Sequence, residues 1–140
     1  MEPQYLQRLS EAQEVTKKLL NSECFWFNDL KPSHLPDRTA AVYAIFDRTD
    51  GKCLYVGRTK NIRRRMYTNH LMGPETNARL KKYLMKDKER PDIPTLEAAK
   101  QYLIDNCYFQ YIAVPEMRER GQTEGMLSYI LDVRYIHEEH

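Results

Sequence analysis

The first regular pattern along the chain is an apolar stripe at helical spacing over residues 3–20. Its members are Leu6, Leu9, Ala12, Thr16 and Leu19, with Glu, Gln and Lys residues between them. A period of three to four residues predicts an amphipathic helix. Two prolines then interrupt residues 31–37 (KPSHLPD), which argues against a helix there. We therefore predict that residues 1–39 form a helical extension with a connector.

The next pattern is that of a β-hairpin. Residues 41–47 (AVYAIFD) and 52–57 (KCLYVG) are short, apolar and rich in residues that favour strands. Asp50-Gly51 lies between them, and Asp-Gly is a strong signal for a tight turn. Residues 107–113 (CYFQYIA) have the same character. These segments predict three strands, of which the first two are antiparallel neighbours.

Helical patterns account for most of the remaining chain. They cover residues 60–70, 76–88, 95–105 and 117–135, and Asn61 is the expected N-cap of the first. The resulting order predicts an α/β fold of the α+β kind, in which helices flank a small, three-stranded, mainly antiparallel sheet. We place this domain at residues 40–140, after the N-terminal helical extension.

Charge is distributed unevenly along the 140 residues. The net charge is only +2, yet the stretch from Lys52 to Arg90 carries 12 Lys and Arg residues against 3 acidic ones. The remainder of the chain therefore has a net negative charge. A cationic third on an otherwise acidic protein indicates a surface that faces a polyanion. A solvated helix face would give the same count, so this alternative stays open.

Composition narrows the class of protein. Hydrophobic residues make up 41% and charged residues 30%, which is typical of a globular domain. No apolar run of about 18 residues is present and the first residues lack the pattern of a signal peptide, so we expect no membrane partner. The three cysteines match neither a disulfide framework nor a zinc spacing. We therefore expect an intracellular, cytoplasmic location.

Short motifs carry the chemistry that we expect. Ala41-Val42-Tyr43 lies in the first strand, Tyr55-Val56-Gly57 ends the second, and Arg65 follows on the next helix. Glu124-Gly125-Met126-Leu127 lies on the last helix. In order and spacing these motifs resemble those of the GIY-YIG nuclease family, which has a tyrosine in each strand of a hairpin, a glycine after the second tyrosine, an arginine on the next helix and a glutamate on a later one. The resemblance covers about residues 35–135.

The resemblance implies a stand-alone catalytic domain that hydrolyses phosphodiester bonds of nucleic acid, DNA rather than RNA, with Mg²⁺ or Mn²⁺. Tyr43 would accept a proton from the attacking water, its ionised form being favoured by nearby cations, and Tyr55 would orient the water or the phosphate. Arg65 would bind the phosphate in the transition state. Glu124 would hold the metal ion, since Mg²⁺ often takes only one or two carboxylates.

Further residues are candidates for binding the nucleic acid. They are Arg58, Lys60, Arg63, Arg64, Asn69 and His70. Many relatives place a histidine or tyrosine four residues after the helix arginine, and that position is Asn69 here, whereas His70 comes one residue later. In an α-helix Asn69 would share the face of Arg65, and His70 would lie about 100° off that face. His70 is therefore expected to be a cap or a surface residue.

Two departures from the family pattern leave alternatives open. Ala41 stands where the family has its first glycine, and no asparagine follows Glu124, although relatives often carry one. One alternative is a non-catalytic module on the same fold that binds nucleic acid or a protein. Another is an unrelated α/β protein, in which the two tyrosines, the arginine and the glutamate would not converge. Residues 1–30, which include Phe25-Trp26-Phe27, are a candidate surface for a homodimer or a protein partner.

Overall fold

The computed structural model describes residues 1–71 and 79–137. Its strands are β1 Phe25–Trp26, β2 Ala41–Asp47, β3 Lys52–Thr59 and β4 Cys107–Ala113. Its helices are α1 Pro3–Leu20, a π-helix at Arg64–Leu71, α2 Arg79–Lys86, α3 Leu96–Asn106 and α4 Met117–Ile130. Two 3₁₀ turns, Phe27–Asp29 and Pro32–His34, lie in the connector. The predicted α+β fold with an N-terminal helix is therefore confirmed.

One four-stranded antiparallel sheet, in the order β1-β4-β2-β3, forms the centre of the molecule. Every residue of β2 is buried, and successive side chains of a strand point to opposite faces. Tyr43 and Ile45 pack with residues of the π-helix, α2 and α3. Val42 and Ala44 pack with residues of α1 and α4. Helices therefore cover both faces of the sheet, and none of those in the described part of the chain is long and apolar enough to cross a membrane.

The sheet has four strands rather than the three that the sequence predicts, because β1 pairs with β4. Phe25 lies opposite Phe109, and their rings stack with centroids 5.3 Å apart. Phe27 follows in the core and is 2% exposed. A strand of two residues is too short to produce an alternating pattern, so the sequence does not reveal it. Phe25-Trp26-Phe27 thus packs within this chain instead of forming a free contact surface.

The other predicted elements differ from the structure mainly at their ends. The Asn61 side chain accepts a hydrogen bond from the backbone N–H of Arg64 at 3.3 Å, which confirms it as an N-cap. Thr95 caps α3 in the same way, through the N–H of Ala98 at 3.1 Å. The helix predicted at residues 76–88 is present as α2, and its first positions, 76–78, lie outside the described residues.

The last helix ends five residues earlier than predicted, at Ile130 rather than at residue 135. Asp132 has a φ of +48°, a left-handed conformation that ends a helix. Beyond it, the backbone N–H groups of Arg134 and Tyr135 donate to the carbonyl oxygens of Cys53 and Leu54, both at 3.0 Å. The C-terminal tail therefore returns along β3, the edge strand of the sheet.

Side chains fasten this tail to the rest of the domain. The Asp87 carboxylate accepts two hydrogen bonds from Arg134, at 2.8 and 3.0 Å, and one from the Tyr135 hydroxyl at 2.6 Å. Arg90 donates to the Tyr135 hydroxyl at 3.1 Å and to the buried carboxylate of Asp47 at 3.0 Å. A bidentate pair of this kind fixes geometry as well as charge. The tail is thus held at its backbone and at its side chains.

Candidate active site

Two tyrosines from adjacent strands form the floor of the site. Tyr43 on β2 lies opposite Gly57 on β3, and its ring centroid is 6.3 Å from that of Tyr55. A Cβ atom added to Gly57 would lie 2.5 Å from Cζ of Tyr43 and closer still to Oη. The Tyr43 ring therefore lies directly against the backbone of Gly57, and only glycine leaves room for it.

His70 completes an aromatic cluster with the two tyrosines. Its Nε2 atom lies 2.7 Å from the hydroxyl of Tyr43, and its ring meets both tyrosine rings edge-on, with centroids 5.4 and 5.6 Å away. His70 is 1% exposed. Burial lowers the pKa of His70 to about 3, and the positive charges of Arg65 and Lys81 act in the same direction. The imidazole is therefore neutral, and the prediction of a surface or capping histidine is wrong.

The π-helix explains why His70 and not Asn69 reaches the tyrosines. Its hydrogen bonds join residues five apart, so each turn holds about one residue more than an α-helical turn. His70 is five residues after Arg65, and this wider turn carries it to the inner side of the helix. Asn69 is half-buried and lines a neighbouring pocket with Arg65. His70 therefore reaches the tyrosines although it comes one residue later in the sequence than the family pattern places a histidine or tyrosine.

Arg65 extends from the π-helix toward the aromatic cluster. Its positive charge lowers the pKa of Tyr43 and of Tyr55, so the guanidinium lies near both tyrosines. Its Nε atom is buried and has no hydrogen-bond partner among the described residues. The Nδ1 atom of His70 is in the same condition. A buried polar nitrogen without a partner is costly, so a ligand that reaches either atom would offset this cost.

Glu124, on α4, supplies the carboxylate that the described residues bring to the cluster. Burial raises its pKa, while the charge of Arg58 and a hydrogen bond from the backbone of Arg58 lower it by less. Its negative charge also raises the pKa of both Tyr43 and Tyr55. The structure thus brings Tyr43, Tyr55, Arg65 and Glu124 together, as the resemblance implies. Their individual roles stay predictions.

The ionisation expected for Tyr43 is not what the structure supports. Burial raises the pKa of Tyr43 well above its ordinary value, and the charge of Tyr55 acts in the same direction. Arg65 lowers this pKa by a smaller amount. Desolvation penalises the phenolate more than one guanidinium stabilises it. Tyr43 is therefore a protonated, buried hydroxyl that is hydrogen-bonded to His70.

A basic pocket of about 510 Å³ adjoins the cluster. Its cations are Arg58, Lys60, Arg64, Arg65 and Arg120, and no acidic residue in the described part of the chain lines it. Of the predicted nucleic-acid-binding residues, Arg58, Lys60, Arg64 and Asn69 therefore lie around one cavity. Arg63 does not, because its Nε donates to the carbonyl oxygen of Leu35 at 2.8 Å. Its side chain is directed to the connector.

Arg120 is the residue of this surface that the sequence analysis missed. It is 6% exposed, and its Nη1 donates to the carbonyl oxygens of Val114 and Pro115 at 3.1 and 2.7 Å. Arg120 precedes Glu124 by four residues, so the two share one face of α4. A basic residue four positions before the candidate glutamate is the sequence signal that could have identified Arg120.

The chain matches one protein family. Residues 39–96 match the GIY-YIG catalytic domain, and the matched stretch includes both tyrosines, Gly57, Arg65 and His70. No curated protein and no solved structure matches the chain. Such domains are typically nucleases that hydrolyse phosphodiester bonds, and the family generally uses a divalent metal.

Proposed function

We propose that this protein, whose residues 39–96 match the GIY-YIG catalytic domain, is a metal-dependent endonuclease that hydrolyses phosphodiester bonds of DNA. The observation that carries the proposal is the convergence of Tyr43, Tyr55, Arg65 and Glu124 beside a pocket lined by cations. Phosphoryl transfer needs donors and cations directed at developing negative charge, and this arrangement supplies them. The three cysteines are free thiols, which supports a reducing, intracellular compartment.

The donor set suits one hard divalent cation such as Mg²⁺. Among the residues that the structure describes, no group of three or more His, Cys, Asp or Glu residues could hold a metal ion. Mg²⁺ needs no such group, because it often takes one or two carboxylates and keeps several waters. Glu124 would hold it, and burial that raises the pKa of Glu124 also favours a neutralising cation there. When bound, the metal would neutralise charge on the scissile phosphate or the leaving oxygen.

The two tyrosines have different parts in this proposal. Tyr55 is partly exposed, so it is the hydroxyl that contacts the attacking water or the phosphate. Tyr43 is buried and protonated, so it takes part as a relay: it receives the proton that the attacking water gives up, as its own proton moves to Nε2 of His70. The negative charge of a bound phosphate raises the pKa of His70 and so favours this transfer. Arg65 Nε would donate to a phosphate oxygen.

The deciding experiment is a cleavage assay on labelled duplex, nicked, branched and single-stranded DNA and on RNA, each with Mg²⁺, Mn²⁺ or EDTA. We expect metal-dependent cutting of DNA. In Glu124→Gln we expect the rate to fall at least about 100-fold, because the hard carboxylate ligand is gone. Glu119→Gln is the matched control, since Glu119 lies exposed in the first turn of the same helix.

Each other outcome has a distinct meaning. Cutting of RNA alone would overturn the choice of DNA. Binding without cutting in either metal would support the alternative, a non-catalytic module on the same fold. Equal activity of Glu124→Gln and the wild type would remove Glu124 from the metal site.

We further propose that α1 joins two copies of the chain. Its first eight residues, and the two that precede them, are exposed, and they include Tyr5, Leu6 and Leu9 at 56%, 54% and 58% exposure. A hydrogen bond from Arg8 to Gln122 at 3.3 Å ties this segment to the rest of the domain, but its apolar side chains stay open, and a second copy of α1 would cover them. We expect a dimer mass in light scattering of the wild type and a monomer mass in Leu6→Gln/Leu9→Gln. A wild type that stays monomeric over a concentration series would contradict the proposal.

A further inference from the structure

The basic pocket beside the catalytic cluster is lined by five cations and, among the residues that the structure describes, by no acidic side chain. Its five cations, Arg58, Lys60, Arg64, Arg65 and Arg120, form no salt bridge with any carboxylate in residues 1–71 and 79–137. Like charges at close quarters repel one another and cost free energy. An anion bound among them would offset this cost. The pocket therefore has the electrostatic character of a phosphate site.

Arg120 gives this pocket a fixed floor. Its Nη1 makes both hydrogen bonds to the backbone carbonyls of Val114 and Pro115, which leaves Nε and Nη2 outside those bonds. The carbonyls are neutral, so the charge of Arg120 is held in place without being cancelled. Because Val114 is itself bonded through its N–H to Ala40 at 3.0 Å, the anchor is tied to the start of β2. A planar guanidinium held this way is preorganised for phosphate oxygens.

The pocket and the catalytic cluster share two cations. Arg65 lines the pocket and acts on both tyrosines, and Arg58 lines the pocket and acts on Glu124. Arg58 also lies against Gly121, where an added Cβ would overlap its guanidinium. A nucleic-acid strand with its scissile phosphate in the cluster would therefore bring the next phosphate to the pocket. Met117, 71% exposed at the rim, offers an apolar surface to the sugar.

We propose that this pocket is a second phosphate subsite, which binds the backbone phosphate next to the scissile one on the cut strand, with Arg120 as its anchor. The inference rests on the proposed nuclease function and adds a requirement to it. The enzyme reads two successive phosphates of one strand, so it cuts poorly at a linkage that lacks a charged neighbour on the pocket side. Arg120 is a specificity-determining residue of the substrate strand.

The test replaces single linkages of one labelled DNA strand by uncharged methylphosphonate, on either side of the cut. Binding is measured in the Glu124→Gln background, so that no cleavage intervenes. At one flanking linkage we expect affinity to fall about 10-fold, because a charge-assisted contact is lost. In Arg120→Lys, and separately in Lys60→Ala/Arg64→Ala, methylphosphonate at the same linkage should lower the affinity by less than about 3-fold.

Arg118→Ala is the matched control, since Arg118 is exposed on the same helix and does not line the pocket. In this variant, methylphosphonate at the flanking linkage should still lower the affinity about 10-fold. If it lowered the affinity of every variant by the same factor, the proposed subsite would be wrong. If Arg120→Lys does not fold, the exposed pair Lys60 and Arg64 decides the question.

The assay separates failure of the subsite from failure of the nuclease. Coupling between the linkage and the pocket variants in a protein that cuts nothing would support the subsite and reject the nuclease. Cutting by the wild type without any such coupling would support the nuclease and reject the subsite.

Discussion

Replacing Arg65 with alanine is expected to lower kcat by about 1000-fold or more while leaving the fold unchanged, as removal of an arginine that stabilises phosphoryl-transfer charge does elsewhere. Arg65 lies near both tyrosines, and its buried Nε has no partner among the described residues. The substitution therefore removes a donor, Nε, that has no partner in the described part of the chain and is free for the ligand. Single-turnover cleavage and thermal unfolding measured on the same preparation would check both halves of this expectation.

Arg63→Ala is the control, because Arg63 lies two residues away and donates to the carbonyl oxygen of Leu35. Here we expect the opposite result: a loss of about 1 kcal/mol in the free energy of unfolding and little change in kcat for the folded fraction. Retained cleavage by Arg65→Ala would take Arg65 out of the reaction. A large loss of kcat in Arg63→Ala would mean that the arginines of this cluster affect activity by holding the helix in shape, and not through a contact of Arg65 with the substrate.

Gly57→Ala is expected to damage both stability and activity. The new Cβ would lie 2.5 Å from Cζ of Tyr43, in a part of the sheet where every β2 residue is buried. The ring cannot move aside without breaking its hydrogen bond to His70. Overpacking of this kind costs about 3 kcal/mol. Denaturant unfolding should show that loss, and cleavage by the remaining folded protein should fall because Tyr43 is displaced.

Gly125→Ala provides the comparison in the same chain. An added Cβ at this exposed position of α4 meets nothing within 4 Å. Alanine has a higher helix propensity, so we expect a gain of about 0.5–1 kcal/mol in the free energy of unfolding. If the two glycines responded alike, the close approach of Tyr43 to the β3 backbone would not be the reason for Gly57.

Sequence patterns predicted the elements that are long and regular. α1, β2 and β4 have the predicted bounds, because α1 shows several turns of helical period and β2 and β4 are distinct short runs of residues that favour strands. β1 was missed since two residues carry no period. The final helix was extended too far because Leu131 and Arg134 continue its spacing, and only the left-handed conformation of Asp132 ends it.

The sequence predicts the part of the candidate site that lies on the hairpin, because the pairing of its strands determines which side chains are neighbours. These residues are Tyr43, Tyr55 and Gly57. The site was not predictable where the answer depends on helix geometry. The spacing from Arg65 to His70 has one meaning in an α-helix and another in a π-helix, and the sequence alone gives no period that distinguishes them. Arg120 was missed for a different reason, since its partners are backbone carbonyls that leave no mark on composition.

The C-terminal tail also determines how the sheet meets other proteins. By donating to Cys53 and Leu54, it occupies carbonyl groups along β3 that an incoming strand would otherwise use. The opposite edge is β1, whose two residues are too few to template a neighbour. Amyloid-like stacking and peptide capture by strand addition are both disfavoured at these edges. Loss of the contacts that Asp87 makes with Arg134 and Tyr135 would release the tail and open this edge of the sheet to pairing with strands of other chains.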